Sequence, residues 1–181
     1  MRRIALICTL LASGLASAAP AHVHGIAHLD VSLEGNVLNI SMESPLDSLL
    51  GFERAPRGNA EIARVRAMAS VLREADRVFL TTPAAGCSLS SVHLSSSALS
   101  PQLLGETASK PAAAEEPAGH ADLDADFSFK CANPAALNSI VVQLFESFPA
   151  MKSIDLQLVT PKLQKAAKLS SGARTISWSA K

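Results

Sequence analysis

The stretch "HLDVSLEGNVLNISME", residues 28–43, restricts the fold more than any other part of the chain. Leu29, Val31 and Leu33 alternate with His28, Asp30, Ser32 and Glu34, the period-2 pattern of a half-buried strand. Gly35-Asn36 fits a two-residue hairpin turn. Folding back there sets Leu33 against Leu38, Val31 against Ile40 and Leu29 against Met42, so one face is wholly apolar. The other face sets Ser32 against Asn39, Asp30 against Ser41 and His28 against Glu43. Periodicity and turn chemistry are separate signals, and here they agree.

After the hairpin, "SPLDSLLGF" offers Ser44 as a helix N-cap, Pro45 at the first helical position and Gly51 as a stop. A second helix is expected over residues 59–75. Ile62, Val65, Ala69 and Leu72 fall at helical spacing, and Arg64, Arg66 and Arg73 make a solvated face. "RVFLTT" and "CSLSSVHL" read as strands around a turn at residues 83–86. From 95 to 119 the composition shifts to Ser, Ala, Pro and Glu, the signature of a flexible linker. Order resumes at "HADLDADFSFKC". There Ala121, Leu123, Ala125, Phe127, Phe129 and Cys131 share one strand face, and His120, Asp122, Asp124, Asp126 and Ser128 the other. "SIVVQL" and "SIDLQLV" are further strands joined through a helical turn at "FESFPAM", and "QKAAKL" with "RTISW" closes the chain as a final hairpin. The fold class is α+β: two small β-rich halves, residues 19–94 and 120–181, with short helices packed on antiparallel sheets. Their similar order of elements suggests a duplication, which the sequence identity between them is too low to establish.

The start of the chain reads as an export signal. Arg2 and Arg3 precede an apolar run over residues 4–15, and Ala16-Ser17-Ala18 is a small-residue cleavage site. That run is too short for a permanent membrane helix. Cys8 lacks the setting of a lipoprotein anchor. Cleavage after Ala18 leaves fourteen basic residues of the sixteen against sixteen acidic ones, a net charge of about −2 that gives no footprint for nucleic acid. The expected product is exported, with a bacterial periplasm as its address. Cys87 and Cys131 then remain, and two cysteines in an oxidising compartment pair as a disulfide. Closing that loop is worth about 3–4 kcal/mol in the chain-entropy account.

The chemistry lies with histidine. His22 and His24 are two apart, so in an extended chain they point the same way with Cα atoms about 7 Å apart, and two such imidazoles can converge on one ion. His28 has the same parity but lies about 13 Å further along, and joins them only through a bend at Gly25. The alternative is a solvated lead-in to the first strand. His120, Asp122, Asp124 and Asp126 form a second candidate, a negative surface that attracts a divalent cation, against the alternative of an ordinary wet sheet face. The spacing is not that of a calcium loop, and histidine with carboxylate leans toward zinc, with copper or nickel as competitors. His93 stands alone and reads as a surface residue. No nucleophile elbow, phosphate-binding glycine loop or His-Glu-x-x-His helix occurs, so the chain is not expected to be an enzyme.

Taken together, "HVHGIAHLDVSLEGNVLNISMESP", "GFERAP" and "HADLDADFSFKCANPAALNSIVVQLFESFPAMKSIDLQLVTPKLQKAA" resemble the periplasmic zinc-regulated, zinc-binding (ZrgA-like) proteins of Gram-negative bacteria. The resemblance covers most of the mature chain. It implies two related α+β halves joined by a histidine-rich segment, and a role in binding zinc and aiding its acquisition beside a high-affinity importer. It carries a metal-binding role onto His22, His24 and His120, and less closely onto His28 and Asp122. Two departures remove ligands. Residues 95–119 are almost devoid of His and Asp, and "GFERAP" has Arg54 where a histidine is common in the family. The resemblance therefore implies a histidine-poor member holding fewer ions, or holding them more weakly. The expectation is a periplasmic zinc scavenger or buffer in zinc homeostasis, with His22, His24, His28, His120, Asp122 and Asp124 as candidate ligands. Its partners would be divalent transition-metal ions and a zinc importer component. The competing expectation is a metal-independent envelope adaptor that binds a protein through its sheet edges and linker.

Overall fold

The computed structural model describes residues 23–107 and 121–178. The expected hairpin forms from β1 (Ile26–Glu34) and β2 (Val37–Pro45). Its register is the one read from the sequence, including Leu29 opposite Met42 and His28 opposite Glu43. Gly35 opens the turn with a φ of 60°, a conformation that costs glycine nothing because it has no Cβ to clash. Ser44 does not cap the first helix. It is the penultimate residue of β2, and Pro45 occupies the N-cap of α1 (Leu46–Leu50) without a side-chain hydrogen bond. Gly51, with a φ of 78°, ends α1 as expected, its N–H bonding back to the Asp47 carbonyl at 2.9 Å.

α2 (Gly58–Arg73) buries Val65, Met68, Ala69 and Leu72 at helical spacing. A further short helix, α3 (Ala75–Val78), takes up Arg77 and Val78, so β3 is reduced to Phe79–Thr81. A 3-10 turn at Pro83–Ala85 leads into β4 (Cys87–Ser95). Beyond it the chain stays packed: α4 (Pro101–Leu104) lies within the stretch read as linker, with Leu99 and Leu104 buried. Two or three apolar side chains at the right spacing suffice to dock a short segment, and the Ser-rich composition hid them. Residues 108–119 of that stretch lie outside the described residues, as does the proposed signal at residues 1–18.

The second segment supplies β5 (Asp122–Cys131), β6 (Ser139–Val142), α5 (Leu144–Ser147), β7 (Ser153–Thr160), β8 (Leu163–Ser170) and β9 (Thr175–Ser177). The strands do not sort by half. The larger sheet has the order β4-β5-β2-β1-β7-β8, so β5 is inserted between β4 and β2, and β7 lies beside β1. The β1–β7 pair is parallel and every other pair is antiparallel, which makes this sheet mixed rather than purely antiparallel. β8 pairs back onto β7, while β9 pairs with β6 in a smaller sheet of order β3-β6-β9; the two last strands form no hairpin with each other.

One face of the larger sheet carries Leu29, Val31, Leu38, Ile40, Leu123, Phe127, Phe129, Leu156 and Leu158, all buried in a single core that also takes in the helices and the smaller sheet. Burying each such side chain contributes about 1.5–3 kcal/mol. Phe79 of β3 meets Phe127 of β5 edge-on at 5.0 Å, which ties the two sheets together. The opposite face of the larger sheet is polar, with His28, Asp30, Ser41, Asp124 and Asp126 exposed. Cys87 and Cys131 sit directly opposite each other on β4 and β5 and form a disulfide, S–S 2.07 Å.

Candidate metal centre

β1 is entered through a turn at His24-Gly25. Gly25 has a φ of 83°, and a Cβ there would come within 3.1 Å of the Lys152 side chain and 3.3 Å of the Ala150 carbonyl oxygen. Only glycine fits that conformation at that approach. The turn is fastened on two sides. The Gly25 N–H donates to the buried hydroxyl of Ser48 on α1 at 2.9 Å, and its carbonyl accepts from the Lys152 and Ser153 N–H groups at 2.8 and 3.1 Å.

This anchoring sets the His24 imidazole against α1 and the loop that follows it. Nε2 lies 3.0 Å from Glu53 Oε1, and Nδ1 lies 3.8 Å from Asp47 Oδ2. The His24 side chain is 55% exposed, Asp47 37% and Glu53 11%, so the pair opens to solvent from the imidazole side. Two ligands at 2.0–2.1 Å from a tetrahedral zinc lie about 3.3 Å apart. The 3.0 Å His24–Glu53 contact needs a shift of only a few tenths of an ångström to admit an ion.

The other candidates are distributed. His28 stands on the open sheet face, opposite Glu43 and beside Asp155, which is itself paired with Lys168 at 2.7 Å. Asp124 is opposite Glu43, and Asp122 is opposite Pro45. The bend at Gly25 exists, but it turns His24 to α1 while His28 joins a transverse row with Asp155, Glu43 and Asp124. Among the described residues no three His, Cys, Asp or Glu side chains gather closely enough to hold a metal ion. His22 and His120 lie outside the described residues. Their neighbours in sequence lead to one place, however. Val23 precedes the turn fastened to Ser48, and the Ala121 carbonyl accepts the Leu46 N–H at 3.0 Å. Both segments therefore reach α1, the helix that carries Asp47.

Sequence reasoning missed Asp47 and Glu53. Asp47 looks like an ordinary acidic residue in a first helical turn, and Glu53 was overlooked in "GFERAP" in favour of its neighbour. Arg54 forms two hydrogen bonds with Glu61 of α2 at 2.8 and 2.9 Å and stacks on the Phe52 ring at 5.0 Å. The Arg54 hydrogen bond first, and the Arg57 N–H second, lower the Glu61 carboxyl to about 2. His93 is not alone either: Nδ1 lies 3.2 Å from Glu106 Oε2, a residue assigned to the linker by its composition.

The fold and this site together define an α+β sheet protein that sets a histidine beside a carboxylate where the chain enters the main sheet. The chain belongs to the ZrgA family of zinc uptake proteins, whose family model matches residues 21–178. That membership gives it a role in zinc uptake. A search of curated proteins finds no match to the chain. Among the described residues no helix is long and apolar enough to cross a membrane.

Proposed function

We propose that the mature protein is a periplasmic zinc scavenger or buffer, a carrier rather than a catalyst, that hands its ion to a zinc importer. The observation that carries this reading is the His24–Glu53 pair at 3.0 Å with Asp47 on the other ring nitrogen. Imidazole and carboxylate are the donors zinc takes, and copper or nickel would compete for the same set. A lone pair of protein donors holds zinc weakly. The reading therefore draws on His22 and His120, which directly precede Val23 and Ala121 in sequence, as further donors. Half-exposure of His24 supports exchange over permanent storage, because an ion reachable from solvent can be passed on. The Cys87–Cys131 bridge and the signal-like start support an oxidising, exported setting.

Calorimetric titration of the mature protein with zinc tests it. Wild type should take up zinc, and His24→Ala, Glu53→Gln and the double variant His22→Ala/His120→Ala should each weaken uptake by about tenfold or more. At zinc a hundredfold above Kd the folded state gains about 2.7 kcal/mol, so the wild-type melting point should rise and a chelator should reverse the rise. Equal uptake by wild type and all variants overturns the site. Absence of both uptake and thermal shift overturns the carrier reading in favour of an adaptor that needs no metal.

A further inference from the structure

A second histidine–carboxylate pair occurs at the β4 edge of the main sheet. β4 is an edge strand, and His93 on its open face stands directly opposite Asp126 of β5. Three strand spacings, about 14 Å, separate β4 from β1, so this pair cannot share an ion with His24. The partner of His93 arrives from a part of the chain that sequence composition gave no reason to place here. After α4 the chain returns to β4, where Glu106 Oε1 accepts the Leu94 N–H at 2.9 Å and the Arg73 guanidinium at 2.6 Å. Arg73 also donates through Nε to the Leu104 carbonyl at 2.9 Å, which fixes the turn that delivers Glu106.

The division of labour within that carboxylate is informative. Oε1 is occupied by two donors, while Oε2 faces His93 Nδ1 at 3.2 Å. The Leu94 N–H and Arg73 thus orient the carboxylate before any ligand arrives, as outer hydrogen bonds do around metal ligands. The His93 side chain is 59% exposed against 17% for Glu106, leaving the imidazole side open to water and ions. Across the strand pair, the Asp126 carboxylate is held through Oδ1 by the Ser41 hydroxyl at 2.6 Å and adds negative charge at the margin.

We propose that His93 Nδ1 and Glu106 Oε2 form a second, independent binding point for a divalent transition metal, completed by water and bordered by Asp126. The nitrogen–oxygen spacing of 3.2 Å matches two ligands of a tetrahedral zinc. With two protein donors and Arg73 nearby, the point binds weakly.

The test follows imidazole resonances of the isotope-labelled mature protein during titration with zinc alone. His93 should shift saturably. Glu106→Gln should move the His93 midpoint to about tenfold higher zinc or beyond, and Asp126→Asn should raise it less. Glutamine at 106 still offers an oxygen to Leu94 and Arg73, and an unchanged amide spectrum away from the site checks that the fold is kept. In a His24→Ala/Glu53→Gln background the His93 response should persist, which separates this point from the His24 site. A His93 resonance that stays fixed while His24 shifts overturns the second point alone. An equal His93 response in Glu106→Gln overturns it too, and fixed resonances for both histidines overturn both sites.

Discussion

At residue 54 the structure gives an arginine a mechanical task. Its two hydrogen bonds to Glu61 fasten the loop that carries Glu53 to α2. Because Glu61 has a folded pKa lowered from 4.5 to about 2, the fastening contributes stability above pH 4.5 and loses it as the pH falls through 2. The loop should therefore stay closed at neutral pH and open only in strong acid. An NMR titration of the Glu61 side-chain carboxyl should give a midpoint near 2 in wild type and one returned toward 4.5 in Arg54→Ala. A wild-type midpoint near 4.5 would show that the pair does not persist in solution. Arg54 thus stiffens the segment behind the Glu53 carboxylate.

At the scale of elements, α4 is the clearest divergence from the sequence. It is a single turn within a Ser- and Ala-rich run, yet Leu104 is 1% exposed and its carbonyl is held by Arg73. Leu104→Ala should cost about 2–5 kcal/mol, the range for a leucine whose removal leaves a cavity, and should lower the urea midpoint without changing the slope. A loss below about 0.5 kcal/mol, the level of a surface substitution, would mean that α4 does not pack. The contrast with the hairpin is instructive. All the β1–β2 pairs, from Glu34–Val37 to His28–Glu43, follow from a turn and an alternation contained within a few residues. By contrast, the placing of β5 between β2 and β4, the parallel run of β7 on β1, and the dispatch of β9 to β6 are long-range choices. Local periodicity says which face of β5 is buried, and Leu123 to Cys131 obey it, but not which strand lies alongside. The candidate site divides in the same way. His24 was visible because histidine is rare here, whereas Asp47, Glu53 and Glu106 are common residues made significant only by tertiary placement.

At the scale of the whole molecule, the interleaved strand order joins strands from both sequence halves in each sheet. Removing the second segment would leave β2 and β4 without the strand between them, strip β7 from β1, and reduce the smaller sheet to β3. It would also take Phe127 and Phe129 out of the core and expose Phe79, whose edge-on partner is Phe127. Unpaired strand edges and an uncovered apolar face are together unstable in water. A fragment of residues 19–107 should therefore melt without a cooperative transition and bind hydrophobic dye, and so should a fragment of residues 120–181. Mixed under oxidising conditions, the two should recover a sigmoidal melt joined by the Cys87–Cys131 bridge, which closes a separation of 44 residues in the intact chain. A sharp, independent transition for either fragment alone would show separable domains. Zinc handling should follow the same rule: His24 and Glu53 belong to the first fragment, yet the Leu46 N–H at the start of α1, the helix that carries Asp47, donates to the Ala121 carbonyl of the second. Zinc uptake at the strength of the intact chain should return only when the fragments are recombined.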